Sequence, residues 1–241
     1  MLDPQEIDEL ASFALELADA AAAVTLPHFR SGLAVGHKEG RHAFDPVTAA
    51  DRDGEAAIRK LIGERYPTHG ILGEEHGREK GTSALTWILD PIDGTRSFIS
   101  GVPLWGTLIA LNDGARPVIG LMDQPYIGER FVGRPGGSEL IGPMGTVPLK
   151  TSGCTTLEAA LLGNTDPGMF TAAREKAAFR EISSKVRLRR FAGDCYFYCL
   201  RPARPLDLVV ASALAPYAPP ALIPLIDHAA GVRPNRPRAE P

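Results

Sequence analysis

The sequence predicts an α/β protein with an N-terminal α+β half and a smaller C-terminal α/β half. Three observations carry that prediction. Two helix-period segments open the chain. Short strand-like runs follow and read as an antiparallel meander. After about residue 150, strands and helices alternate.

Residues 3–30 read as an amphipathic helix. Asp3 suits the N-cap, Pro4 the first helical position and Glu6 the N3 position. Ile7, Leu10, Ala14, Leu17, Ala21 and Val24 recur at helical spacing. A second helix is expected from Thr48, with Asp51 in its first turn, Ile58, Leu61 and Ile62 on its apolar face, and Pro67 as its stop. Strands are expected at Gly70–Gly73, Leu85–Leu89, Leu104–Leu111, Pro117–Met122 and Ile127–Val132, with Asn112-Asp113-Gly114 as a hairpin turn. The Gly/Pro-rich stretch Gly133–Pro148 suggests a boundary, so the halves are set at 1–145 and 146–241. Beyond it come strand Ala159–Leu162, helix Met169–Lys185, strand Val186–Phe191, helix Asp194–Leu200, strand Leu206–Val210 and helix Pro219–Ala230. The polar tail from Arg233 to Pro241 is expected to be disordered.

Composition bounds the function. The 241 residues are 44% hydrophobic and 23% charged, ordinary for a globular chain with a sizeable core. Lys and Arg total 26 against 29 Asp and Glu, a net charge of −3, which argues against a nucleic-acid binder. No basic n-region marks a signal peptide, and no apolar run suggests a membrane span. Cys154, Cys195 and Cys199 are too few and unevenly placed for a disulfide framework. The expectation is a reduced, cytoplasmic protein.

The chemistry concentrates in three acidic segments. In Trp87–Thr95 an apolar strand runs into Asp90-Pro91-Ile92-Asp93-Gly94-Thr95. A tight turn there can point both carboxylates and the Ile92 carbonyl at one spot, the oxygen donors that Mg²⁺ prefers. Gly94 and Thr95 then offer amides at a helix start, suited to a phosphate. Alone, Asp-Pro and Asp-Gly pairs are ordinary turns. Gly73-Glu74-Glu75 adds a carboxylate at a strand end, and Asp45–Asp51 adds an acidic helix start.

These segments resemble the inositol monophosphatase family of Mg²⁺-dependent phosphatases. The matching stretches are DPVTAAD (45–51), GEE (73–75) and WILDPIDGTRSF (87–98). FRSGL (29–33), DPIDGTRSFISGVPLWGTLIAL (90–111), DQPYIGERFVG (123–133) and GDCYFYCL (193–200) are similar to its histidinol-phosphatase branch. The resemblance implies a layered αβαβα fold and hydrolysis of a small phosphate monoester, histidinol phosphate first, by metal-activated water. It implies that Glu74, Asp90 and the Ile92 carbonyl ligate one Mg²⁺, and that Asp90 and Asp93 hold a second. Asp51 and Thr95 would orient the water, Gly94 and Thr95 amides would cradle the phosphate, and Asp194 would meet the leaving group. A homodimer is the family expectation.

The sequence departs from that pattern near its end. Ala218 stands where the family has an aspartate ligand of the second metal, Ala211 where it commonly has a substrate-contacting Glu, and Ala192 where the branch has a glycine. Pro219 and Pro220 crowd the same helix start, and ten residues follow Gly231 where relatives usually continue through a strand and helix. One metal site is therefore expected complete and the second short of a carboxylate. Two alternatives stay open beside the histidinol-phosphatase reading: an inositol or sugar monophosphatase, and a catalytically impaired pseudoenzyme or binding protein. A truncated version of an active enzyme is a third. Cys195 and Cys199 read as small core residues, His76 as a surface residue that could reach a phosphate, and Arg187, Arg189 and Arg190 as a solvated strand edge. Phe98 and Trp105 are expected to fill the core beside the site.

Overall fold

A computed structural model of the chain describes residues 2–31, 36–37, 46–47, 49–200, 203 and 206–229. Asp45, Thr48, Gly231 and the tail lie outside the described residues. Helix α1 (Pro4–Thr25) starts at its expected cap, with the Asp3 side chain accepting from the Glu6 amide at 2.9 Å. Pro27 lies in the short 3-10 turn that follows. Two short strands, β1 (Gly36–His37) and β2 (Pro46–Val47), form an antiparallel pair before α2 (Ala49–Arg65).

The large sheet is built from β3 (Gly70–Gly73), β4 (Gly77–Glu79), β5 (Thr86–Asp93), β6 (Gly106–Asn112), β7 (Pro117–Gln124), β8 (Glu129–Arg134), β9 (Gly137–Gly142) and β10 (Gly145–Pro148). Its order is β10-β9-β8-β7-β6-β5-β3-β4, antiparallel except where β3 runs parallel to β5. Alternation along β5 assigns Trp87 and Leu89 to the face under α1 and α2, and Ile88 to the other face. The hairpin after β6 forms as expected, with the Asn112 side chain accepting from the Gly114 amide at 2.7 Å.

Gly133–Pro148 carries the β9–β10 hairpin, and the division at 145/146 falls inside β10. Gly136, Gly137 and Gly145 adopt positive φ, so the glycines of this stretch serve tight turns within the sheet.

A second, parallel sheet has the order β12-β11-β13, from β11 (Leu161–Asn164), β12 (Leu188–Phe191) and β13 (Leu208–Val209). Helix α4 (Ala173–Lys185) covers one face, packing Phe179 on Phe170 and Leu162. On the other face the close fit of Gly163 to Phe197 brings in α5 (Asp194–Leu200). Helix α6 (Ala218–His228) returns to the large sheet and buries Ala221, Leu222 and Leu225 against Leu108, Met122 and Phe131. The layers are therefore α1/α2, large sheet, α5/α6, small sheet, α4: an αβαβα stack.

The helical stretch Pro4–His28 is long and apolar enough to cross a membrane by length and composition. Its alanines raise its hydropathy, but Leu10, Phe13, Ala14, Leu17 and Ala21 are buried in the core against the sheet.

Candidate active site

The site forms where β3 and β5 end side by side. The Glu74 amide donates to the Leu89 carbonyl at 3.2 Å, which seats Glu74 beside Asp90. The expected turn between Asp90 and Asp93 is instead a bulge inside β5: Asp90 pairs with Leu108 and Asp93 with Gly106, so one extra residue is accommodated. Pro91 has no amide proton to give to the ladder, and its carbonyl accepts from the Thr107 hydroxyl at 2.8 Å. The bulge re-aims this strand end without ending it.

Asp90 is 3% exposed, and its Oδ1 has no hydrogen-bond partner among the described residues. Burial pushes its carboxyl well above the usual range, and the charges of Asp93, Glu74 and Asp51 push it further. Asp51 is buried in the first turn of α2. Asp93 is raised to about 6 by burial, against the lowering effect of its bonds to Cys195; the Cys195 amide donates to Asp93 Oδ2 at 2.8 Å.

Gly94 then turns the chain at φ 87° and starts the short helix α3 (Thr95–Ile99). The Thr95 hydroxyl donates to the Ile92 carbonyl at 3.2 Å. Asp194 packs against Gly94, with a Cβ at Gly94 falling 3.0 Å from its Oδ2, and accepts from the Ser97 hydroxyl at 2.8 Å. Burial raises the Asp194 carboxyl above its ordinary value. Phe29, Ala50, Ile92, Phe98 and Trp105 pack as an apolar cluster behind this strand end, the place expected for Phe98 and Trp105.

The donor set fits a hard divalent cation. It contains crowded carboxylates, one buried oxygen without a donor, and a main-chain carbonyl, all oxygen. No three acidic, thiol or imidazole side chains among the described residues converge tightly enough to hold an ion by themselves.

A family model described as the inositol monophosphatase family matches residues 6–232. The chain belongs to that family. The bifunctional phosphatase IMPL2 of Arabidopsis thaliana is 40% identical over 95% of this chain, which spans 65% of the length of that relative. A histidinol-phosphatase of Chlorobaculum parvum is 33% identical, covering 90% of this chain and 82% of its own. A solved inositol monophosphatase from Zymomonas mobilis superposes with a TM-score of 0.80 at 38% identity, covering 92% of this chain and 84% of that one. Inositol monophosphatase family members are phosphatases and generally Mg²⁺-dependent.

Within this inositol monophosphatase fold, Ala218 opens α6 and is buried in the apolar cluster with Cys195, Cys199 and Leu222, so it offers no oxygen. Ala211 lies past β13 in a groove with Phe170, Glu175 and Phe179. His76 is exposed, and its Nε2 lies 3.0 Å from the Arg52 carbonyl rather than in the carboxylate pocket. Arg187, Arg189 and Arg190 are exposed, the last two on edge strand β12. Cys195 and Cys199 are buried free thiols.

Sequence reasoning missed Glu55. It is completely buried on α2, accepts from the Glu75 and His76 amides at 2.7 and 3.2 Å, and pairs with Arg59 at 2.7 Å. The available signal was its position one helical turn after Asp51, on the side of the helix that also carries Ile58 and Ile62.

Proposed function

We propose that this chain hydrolyses a small phosphate monoester with Mg²⁺, that histidinol phosphate is its preferred substrate, and that loss of a carboxylate at Ala218 holds its rate down. The observation that carries the reading is Asp90: a buried carboxylate with one unsatisfied oxygen, crowded by Asp93, Glu74 and Asp51. Glu74, Asp90 and the Ile92 carbonyl are the groups that would hold the cation. When bound, the cation offsets their charge, acidifies water and draws charge from the phosphoryl oxygens.

The remaining residues divide the work of positioning. Asp51, with Thr95, orients the attacking water and accepts its proton. The amides of Gly94 and Thr95 receive the phosphate where the chain enters α3. Asp194 stands beside Gly94 with a hydroxyl donor from Ser97, and its carboxylate suits the ammonium of a cationic leaving group. That charge favours histidinol phosphate over a neutral polyol phosphate, and the histidinol-phosphatase names of two relatives at 33% and 30% identity support the choice. In-line attack by water needs no Ser or Cys nucleophile.

One cation, rather than two, follows from the same residues. Asp93 would be left without the second carboxylate that another cation needs, because Ala218 supplies none. The test is a phosphate-release assay on histidinol phosphate, inositol phosphate and fructose 1,6-bisphosphate, with and without Mg²⁺. The expected result is Mg²⁺-dependent release with histidinol phosphate leading, and at least about tenfold faster in Ala218→Asp. Equal turnover by the two proteins would sink the claim about Ala218. A faster rate on inositol phosphate would overturn the substrate assignment.

A further inference from the structure

We propose that Glu55 is a positioning residue: its carboxylate, through the amides of Glu75 and His76, fixes Glu74 against Asp90 and so sets the cation affinity of the pocket. The inference rests on the proposed reading of Glu74 and Asp90 as cation ligands.

Glu55 and Asp51 are four residues apart on α2, hence on one side of the helix. Asp51 bears on Asp90, and Glu55 reaches the segment just after β3. A carboxylate with no exposed surface is costly to keep ionised unless it is fully partnered. Glu55 has three donors: the Glu75 amide at 2.7 Å, the His76 amide at 3.2 Å and the Arg59 Nε at 2.7 Å. Arg59 also donates to the Gly77 carbonyl and, at 3.4 Å, to Glu79. The turn that follows Glu74 is therefore tied to α2 at both ends.

Gly73 completes the fit. A Cβ there would lie 1.9 Å from Glu55 Oε1 and 2.2 Å from its carboxyl carbon. The residue before Glu74 must lack a side chain for Glu55 to occupy its place. On the opposite side the Glu74 amide is held by the Leu89 carbonyl of β5. Glu74 thus sits between two fixed elements, the sheet on one side and the Glu55–Arg59 pair on the other. Partners of this kind around a metal site typically change affinity or activity by about 10–100-fold. Among the described residues the hydrogen bonds of Glu55 go to Arg59, Glu75 and His76 and not to Gly94, Thr95 or Asp194, so its action is indirect.

The experiment compares wild type with Glu55→Gln and Gly73→Ala. Each is titrated with Mn²⁺ by electron paramagnetic resonance, and amide exchange is followed at Glu75 and His76 in the cation-free protein. Glu55→Gln keeps the volume but replaces one acceptor oxygen with a donor. Gly73→Ala adds a methyl that pushes on the Glu55 carboxylate from the other side. A circular-dichroism melt confirms that each variant is folded. If Glu55→Gln fails to fold, Gly73→Ala carries the test. The expected result is at least about tenfold weaker Mn²⁺ binding in both variants, together with faster exchange at the two amides. Unchanged Mn²⁺ affinity in the folded variants overturns the proposal, even if the amides exchange faster, because that is the signature of a purely structural contact. A wild type that binds no Mn²⁺ overturns the pocket reading itself and the positioning role with it, so the two failures are separate results.

Discussion

Ala192 sits at φ +63°, a left-handed conformation that brings an alanine Cβ close to the backbone carbonyl. It lies between β12 and α5, two residues before Asp194, so the turn that delivers Asp194 beside Gly94 carries local strain. Ala192→Gly is expected to stabilise the protein by about 1 kcal/mol, read as an upward shift of roughly 2–4 °C in melting temperature. An unchanged or lower midpoint would show that the turn is not strained. Single residues were legible in the sequence where chemistry and spacing coincide. Asp90, Asp93 and Glu74 stand out because three acidic segments occur together in the order of the family's motifs, whereas each alone reads as an ordinary turn or acidic loop. Glu55 does not, because its pair with Arg59 at i+4 reads as an ordinary helix ion pair and its other partners are backbone amides from a turn 20 residues away, which leave no trace in a sequence. The bulge at Pro91 was likewise hidden: Asp-Pro reads as a turn unless the neighbouring strand supplies Thr107 to satisfy the Pro91 carbonyl.

At the scale of elements, α6 and the large sheet meet backbone to backbone. A Cβ on Gly120 would fall 2.0 Å from the Ala221 carbonyl oxygen, and one on Gly133 2.4 Å from the Leu225 amide nitrogen. These are backbone atoms that cannot rotate away. The Ser138 hydroxyl also donates to the Leu225 carbonyl at 2.9 Å in the helix that contains Pro224. Gly133→Ala should destabilise by about 1–3 kcal/mol, the typical cost of overpacking a core, measured by urea denaturation. A change under about 0.5 kcal/mol would mean that α6 lifts freely from the sheet. Periodicity in the sequence located α1, α2, α4, α5 and α6, helped in α1 by the Asp3 cap and Pro4. It located β3 and β5 to β8 as short apolar runs bounded by turn residues. It missed β4, whose three residues are Gly-Arg-Glu, and it missed β9 and β10 in the Gly/Pro-rich stretch, where the glycines serve tight turns. That α6 rejoins the first sheet was not legible either, since two glycines on separate strands define its seat.

Over the whole molecule, the αβαβα stack brings three carboxylate-bearing elements to one end of β5, and its stability should depend on pH and Mg²⁺ together. Without a cation, Asp93 is raised from 3.8 to about 6. The folded state then holds a proton that the unfolded chain has already released. The contribution of this group is therefore fully present below pH 4 and is lost as pH rises through about 6. Asp90 is raised as well and acts with the same sign. Cation binding requires ionised ligand carboxylates, and the Asp90 carboxyl is raised, so the Mg²⁺-induced rise in melting temperature should be larger at pH 8 than at pH 5. Scanning calorimetry across that range checks this; a Mg²⁺ shift of equal size at pH 5 and pH 8 would contradict it. The family was legible in the sequence because its motifs are long, whereas the substrate was not, because one carboxylate at Asp194 carries that distinction. The most direct test of the central claim, that the Asp90 pocket holds a single catalytic cation, is a calorimetric Mg²⁺ titration of wild type, Asp90→Asn and Ala218→Asp. The account predicts one site, none and two; binding that survives in Asp90→Asn, or two sites in the wild type, would contradict it.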